Sequence, residues 1–170
     1  IKGTNIRPTS DVVRSAIFNI LGQALNGCIA LDLFAGTGSL GIESLSRGSE
    51  KAVFIDKSKK ALALIQKNLS LCGFEERAIL AQEGLPDGLA RIRDLDCAPF
   101  DLVFIDPPYG KGYIASTLSN LVDGGLLATD SRVVVESSTG VDDDLPAKVD
   151  DLVLELTRAY GSTVIGIYHY

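Results

Sequence analysis

The chain has 170 residues, of which 46% are hydrophobic and 22% charged, and its formal net charge is −6. That length favours one domain with a sizeable core, and the composition excludes a wholly disordered chain. The negative balance argues against a general nucleic-acid coat protein, yet residues 1–85 hold ten basic and eight acidic residues against six and fourteen in residues 86–170, so a polyanionic partner is expected to meet the first half.

Apolar runs break within a few residues, as at Asp32, Asp56 and Asp106, which leaves no stretch fit for a transmembrane helix. No basic segment ahead of an apolar run marks a secretory signal. Cys28, Cys72 and Cys97 are odd in number, far apart and without CxxC spacing. They read as reduced, core-type thiols of a cytosolic protein, with no disulfide or zinc framework. A chain this long that opens on Ile1 and holds no Met is expected to be a fragment of a longer protein.

In chain order, the punctuation Arg7-Pro8-Thr9-Ser10 precedes a helix expected over Asp11 to Leu25, with Val12, Ala16, Ile20 and Val13, Ile17, Leu21 on one side. Ile29 to Phe34 is a short apolar strand, followed by a glycine-rich turn, Ala35 to Gly38, and a helix through Ser46. Ala52 to Ile55 is the next strand and ends at Asp56; Ser58 then caps a helix that runs to Cys72 and stops at Gly73. Arg77 to Gln82 reads as a third strand and Phe100 to Ile105 as a fourth, ending at Asp106. A helix from about Tyr113 to Leu121 leads to a fifth strand, Arg132 to Glu136. Leu152 to Arg158 and Thr163 to Tyr168 both alternate and are joined by Ala159-Tyr160-Gly161-Ser162, a hairpin signature. Strand–helix alternation with a terminal hairpin predicts an α/β fold with a doubly wound, mostly parallel sheet and an antiparallel edge.

Such sheets bind ligands outside the carboxyl ends of their strands. Asp32, Asp56 and Asp106 each end a strand, and three acids on one rim point to a ligand where one would pass for a loop cap. The stretch Leu31 to Gly41 contains a GxGxxG at Gly36, Gly38 and Gly41, a tight turn ahead of a helix N-terminus. A dinucleotide site is the obvious rival, and Asp56 could hold its ribose. Asp32, four residues before Gly36, weighs against it: a buried carboxylate there would repel a pyrophosphate, whereas it can face the ammonium and sulfonium of S-adenosylmethionine (AdoMet). Asp56 is then placed for the adenosine ribose, and Gln82 and Glu83 either line the adenine pocket or are ordinary polar strand ends.

Asp106-Pro107-Pro108-Tyr109 forms the second motif. Two successive prolines make a stiff loop with uncommitted carbonyls. Asp106 and the Pro107 carbonyl can accept the two hydrogens of an exocyclic amine while Tyr109 stacks on the base, a contact worth about 1–3 kcal/mol.

A DPPY segment downstream of DLFAGTG resembles the amino-methyltransferases of nucleic acids. With Arg7 to Arg14 ahead of Phe18-Asn19, the run LDLFAGTGSLGIESLSRG, FIDPPYGKG and Tyr160-Gly161-Ser162-Thr163 in a hairpin, the chain is similar along nearly its whole length to the RsmD family of bacterial 16S rRNA guanine-N2 methyltransferases. The resemblance implies a Rossmann-like class I methyltransferase fold, with a seven-stranded sheet and a C-terminal antiparallel hairpin. It implies a single domain over residues 1–170, in which residues 1–25 cover the cleft. The implied cofactor set is Asp32, Phe34, Ala35, Gly36, Thr37, Gly38, Asp56, Lys57, Gln82 and Glu83; Asp106, Pro107, Pro108 and Tyr109 would carry catalysis. Arg7, Thr9 and Arg14 would contact the substrate, and Lys111 is placed for a phosphate by position. The family more often has Asn or Asp followed by Ala where this chain has Gln82-Glu83. The implied partner is 16S ribosomal RNA, within a small-subunit assembly particle in the cytoplasm, with neither metal nor membrane. His169 is expected to be structural. A DNA adenine-N6 or cytosine-N4 methyltransferase, a dinucleotide-dependent oxidoreductase and a catalytically silent RNA-binding assembly factor remain as alternatives.

Overall fold

The computed structural model describes residues 11–22, 24–95, 97–140 and 144–170; Arg7 and Thr9 lie outside the described residues. The elements run α1 (Asp11–Leu21), β1 (Ile29–Leu33), α2 (Ser39–Ser46), β2 (Lys51–Asp56), α3 (Lys59–Cys72), β3 (Ala78–Gln82), β4 (Phe100–Ile105), α4 (Tyr113–Asp123), β5 (Leu127–Ser138), β6 (Lys148–Val149), β7 (Leu152–Tyr160) and β8 (Thr163–His169). One sheet takes the order β3-β2-β1-β4-β5-β8-β7-β6. Pairs from β3 through β5 are parallel, and the pairs involving β6, β7 and β8 are antiparallel. The sheet therefore has eight strands where seven were expected, the extra one being the two-residue β6 beside β7.

Alternation along the strands splits the core in two. Leu31, Leu33, Val53, Ile55, Val103, Ile105, Val133 and Val135 pack with Ile114, Leu118 and Leu121 of α4. Ala30, Ala52, Phe54, Leu102, Phe104 and Val134 face the other way, onto α1, α2 and α3. The first helix buries Val13, Ile17, Phe18 and Leu21; Val12, expected to face inward, is 69% exposed. That helix also stops at Leu21, just before Gly22 at φ 99.

Ser58 caps α3 as expected, its Oγ accepting from the Ala61 N–H at 3.3 Å, and Gly73 at φ 72 closes it. The strand pair β7–β8 closes through Gly161-Ser162, with Tyr160 opposite Thr163. A two-residue turn of this kind needs positive φ, which Gly161 supplies at 62°. The fifth strand begins at Leu127, five residues earlier than expected: a register irregularity after Phe100 and Asp130 at φ 61 interrupt its pattern. A 3-10 segment, Asp87–Leu95, was not anticipated; it buries Leu89 and Ile92 against the α4 side of the sheet. None of the cysteines is in a disulfide, but Cys72 is exposed rather than a core residue. Among the described residues no helix is long and apolar enough to cross a membrane.

The chain reverses from β1 into α2 at very close range. A Cβ added at Gly41 would meet the Phe54 ring at 2.3 Å and Asp32 Oδ2 at 3.1 Å, and Phe54 is fully buried with no room to yield. Gly41→Ala should therefore cost about 1–3 kcal/mol through overpacking, outweighing the helix-propensity gain of about 1 kcal/mol. Urea unfolding should show a lower midpoint with an unchanged slope.

Candidate active site

Between β1 and β4 the sheet order reverses direction, so the loops leaving these strands diverge and open a crevice at their carboxyl ends. Phe34, left-handed at φ 57, turns the chain out of β1 and stacks on Tyr113 with ring centroids 6.0 Å apart. Gly36 (φ 54) and Gly38 (φ 75) continue the turn, and the Gly38 N–H donates to the Ala35 carbonyl at 2.7 Å. The Thr37 carbonyl accepts from Asn68 Nδ2 at 3.0 Å, which ties the turn to α3.

Asp56 braces the same turn from β2. Its Oδ2 accepts from the Gly36 N–H at 3.0 Å and its Oδ1 from the Ser58 N–H at 2.8 Å. Asp32 is 2% exposed and accepts from the Gly41 N–H at 2.9 Å through Oδ2. Burial pushes its carboxyl up to about 7; the Gly41 hydrogen bond opposes that shift and the Asp56 charge adds to it. Asp106 lies just past β4, with its backbone N–H 3.5 Å from the Leu33 carbonyl. The residue keeps some surface, but its carboxyl is withdrawn from water and held well above the usual range, first by burial, then by Glu136 and Asp32.

Glu136, which the sequence reading left out of the site, completes the group. It follows Val135, the register partner of Ile105, on the strand beside Asp106. It is 6% exposed, and its Oε1 accepts from the Tyr109 hydroxyl at 3.3 Å. Burial raises its carboxyl as well, against the lowering effect of the Tyr109 hydrogen bond. Tyr109 in turn is pushed up to about 12 by burial and by the Glu136 and Asp106 charges, and it also hydrogen-bonds Thr163. The missed signal was a fourth strand-end acid: the expected strand Arg132 to Glu136 ends in one.

By alternation, Asp56, Asp32, Asp106 and Glu136 all face the side of the sheet covered by α1, α2 and α3, one on each of four adjacent strands or strand ends. Pro107 is buried, whereas Pro108 and Lys111 are exposed. Two expected positions are engaged elsewhere: Gln82 Nε2 donates to the Lys57 carbonyl at 3.0 Å, and Glu83 pairs with Arg91 at 2.6 Å. Arg14 pairs with Asp11 at 2.9 Å and reaches Glu43 at 3.8 Å. It lines a separate open cavity of about 300 Å³ between α1, α2 and α3, which touches the turn at Thr37 and does not include the carboxylates. His169 is half-exposed with its Nε2 4.0 Å from Asp130.

The rim fits a cationic group. It concentrates like charges, offers backbone N–H groups already taken by Asp32 and Asp56, and leaves Glu136 Oε2 buried with no hydrogen-bond partner among the described residues. A pyrophosphate would meet the Asp32 carboxylate, and the Gly36 and Gly41 amides are already taken by Asp56 and Asp32.

The family model described as Conserved hypothetical protein 95 matches residues 1–169. The chain is 35% identical over 168 residues to "Putative rRNA methyltransferase YlbH" of Bacillus subtilis, covering 99% of this chain and 90% of that protein. It is 30% identical over 171 residues to Ribosomal RNA small subunit methyltransferase D of Escherichia coli (strain K12), covering 96% and 79%. A solved structure of a conserved hypothetical protein from Streptococcus pyogenes matches with a TM-score of 0.80 at 39% identity, over 92% of this chain and 94% of that one.

Because Asp32 binds its proton more tightly in the folded chain than in the unfolded one, its contribution to stability is fully present below about pH 4 and is lost as pH rises through about 7. Asp32→Asn should thus flatten part of the fall in unfolding free energy between pH 5 and pH 8, by on the order of 3 kcal/mol. Urea titrations at four pH values in that window check it; parallel curves for the two proteins would contradict it.

Proposed function

Since the chain belongs to the family of ribosomal RNA small subunit methyltransferase D, we propose that it transfers a methyl group from AdoMet to the exocyclic N2 amine of a guanine in 16S rRNA. The observation that carries this reading is the buried Asp32 carboxylate beside Asp56 and Asp106, a cluster whose repulsion a bound cation relieves. When bound, AdoMet supplies an electrophilic methyl group on a positively charged sulfur.

Asp32, the turn Phe34, Ala35, Gly36, Thr37 and Gly38, Asp56 and Lys57 would hold the cofactor. Asp56 would do so with its oxygens already bonded to Gly36 and Ser58, so that it shapes the turn and would also hold the ribose. Gln82 and Glu83 would reach the adenine only by exchanging their bonds to Lys57 and Arg91.

The target amine is a poor nucleophile because its lone pair delocalises into the guanine ring. Ionised Asp106 and the Pro107 carbonyl accept its two hydrogens, which favours a pyramidal nitrogen with its lone pair free to attack. Pro107 and Pro108 stiffen the loop, and Tyr109 supplies the stacking face. Orientation of this kind can supply about 7–11 kcal/mol of the barrier reduction, while unstacking the base costs a few kcal/mol. Asp106 is also placed to take the proton that the methylated nitrogen sheds.

The substrate is proposed to be RNA within a small-subunit assembly particle in the cytoplasm, contacted by Lys111 and, after release from its acidic partners, Arg14. Residues 1–25, including Arg7 and Thr9, would cover the cleft of a single 1–170 domain.

Asp106→Ala should lower methyl transfer to undermodified small-subunit particles by about 100-fold or more, with AdoMet affinity changed little. Asp32→Ala should instead weaken AdoMet binding by about 10–100-fold, measured by calorimetry. Full turnover by the first variant, or preferred methylation of free DNA by the wild type, would remove the assignment.

A further inference from the structure

Glu136 brings a negative charge to a place where gripping an amine by Asp106 does not require one. It is the residue after Val135 on β5, next to Asp106 across the parallel β4–β5 pair, and the two share the sheet face occupied by Phe104 and Val134. Its two oxygens differ: Oε1 holds the Tyr109 hydroxyl, whereas Oε2 is buried and lacks a partner among the described residues. Two neighbouring carboxylates withdrawn from water do not both ionise readily, and the stable arrangement is a carboxyl–carboxylate pair with one proton between them.

We propose that Glu136 is a positioning residue of the transfer site, which holds the Tyr109 ring through Oε1 and shares a single proton with Asp106 across β4 and β5. This rests on the reading of Asp106 as the acceptor for the target amine. With the pair singly protonated and the proton on Asp106, the amine meets a competing O–H donor. With the proton on Glu136 Oε2, Asp106 is a charged acceptor and Tyr109 stays anchored through Oε1. The nitrogen gains the methyl group and sheds one proton to Asp106, and one proton then leaves the pair for water, which restores the starting state. The other groups bearing on the pair are Asp32 on β1, the Tyr109 phenol, and Thr163 through its hydrogen bond to that phenol; on the β8 side Glu136 lies opposite buried, apolar Ile165.

E136Q keeps an acceptor oxygen for Tyr109 and removes the charge and its proton; E136A removes both. In wild type, the rate of methyl transfer under saturating substrate should rise with pH, because the singly protonated pair holds its proton on Asp106 part of the time and losing it leaves Asp106 always a charged acceptor. E136Q should move that rising limb about one pH unit toward acid. E136A should move the limb likewise and cut kcat at least tenfold; Y109F should cut kcat by a similar factor without the acid shift, and the double variant should lose little more kcat than either. A limb unmoved in E136Q, or wild-type kcat in E136A, overturns the proposal; should E136A not fold, the isosteric E136Q decides. If wild-type protein methylates no RNA at all, the functional reading fails, and ultraviolet titration of the tyrosines tests the pairing by itself. There E136Q should bring the Tyr109 phenol, identified by its loss in Y109F, to a lower pKa, and an unchanged titration overturns it.

Discussion

Four acids on neighbouring strands, Asp56, Asp32, Asp106 and Glu136, are turned to one face of one rim. Asp106 and Glu136 follow register partners on strands about 4.8 Å apart, a spacing at which two unit charges in an effective dielectric of about 20 repel by roughly 3 kcal/mol, and Asp32 and Asp56 sit further off along the same face. The fold tolerates this in three ways. It gives Asp32 and Asp56 backbone N–H donors, it gives Glu136 a phenol, and it shifts the carboxyls of Asp32, Asp106 and Glu136 toward their neutral forms. Each of these devices also places something that a reaction needs. The Gly41 amide fixes the start of α2, the Gly36 amide fixes the turn, and the Tyr109 hydroxyl fixes a ring beside Asp106. The strain of concentrated charge and the order of the site have the same origin.

Much of this was legible in the sequence, because the signals are local. Asp32 and the glycines after it mark a strand, a turn and a helix start within ten residues, and Ser58 and Gly73 bracket α3 where the structure ends it. The hairpin was readable from alternation and a glycine. What escaped reading was set by distant partners. Val12 looked like a core residue because it follows helical spacing, yet the sheet meets α1 one residue further round, at Val13, Ile17 and Phe18. The start of β5 was hidden by Thr129, Asp130 and Ser131, polar residues around a left-handed kink. The segment Asp87–Leu95 carries only two buried apolar residues between prolines and glycines, and β6 is two residues held by a neighbour.

Within the site, residue identities were readable and their relations were not. Asp56 was expected at a ribose, but its bonds to Gly36 and Ser58 could not be inferred without knowing how β2 lies beside β1. Glu136 stood in plain view at a strand end, yet its importance comes from strand order, which places β5 next to β4. Gln82 and Glu83 were nominated by their place at a strand end and Arg14 by the resemblance, and each is already engaged by a nearby group.

The contact between Thr163 and Tyr109 has a consequence for how the protein is made. Thr163 opens β8, and β8 is inserted between β5 and β7, so it docks on a strand specified some thirty residues earlier. During synthesis the helices and parallel strands can assemble from the amino terminus, but the aromatic beside the proline loop lacks its second anchor until Thr163–His169 has emerged and annealed along β5. A partly made chain, or one whose last strand has slipped by a residue, then carries a well-formed glycine turn beside a ring held through Glu136 alone.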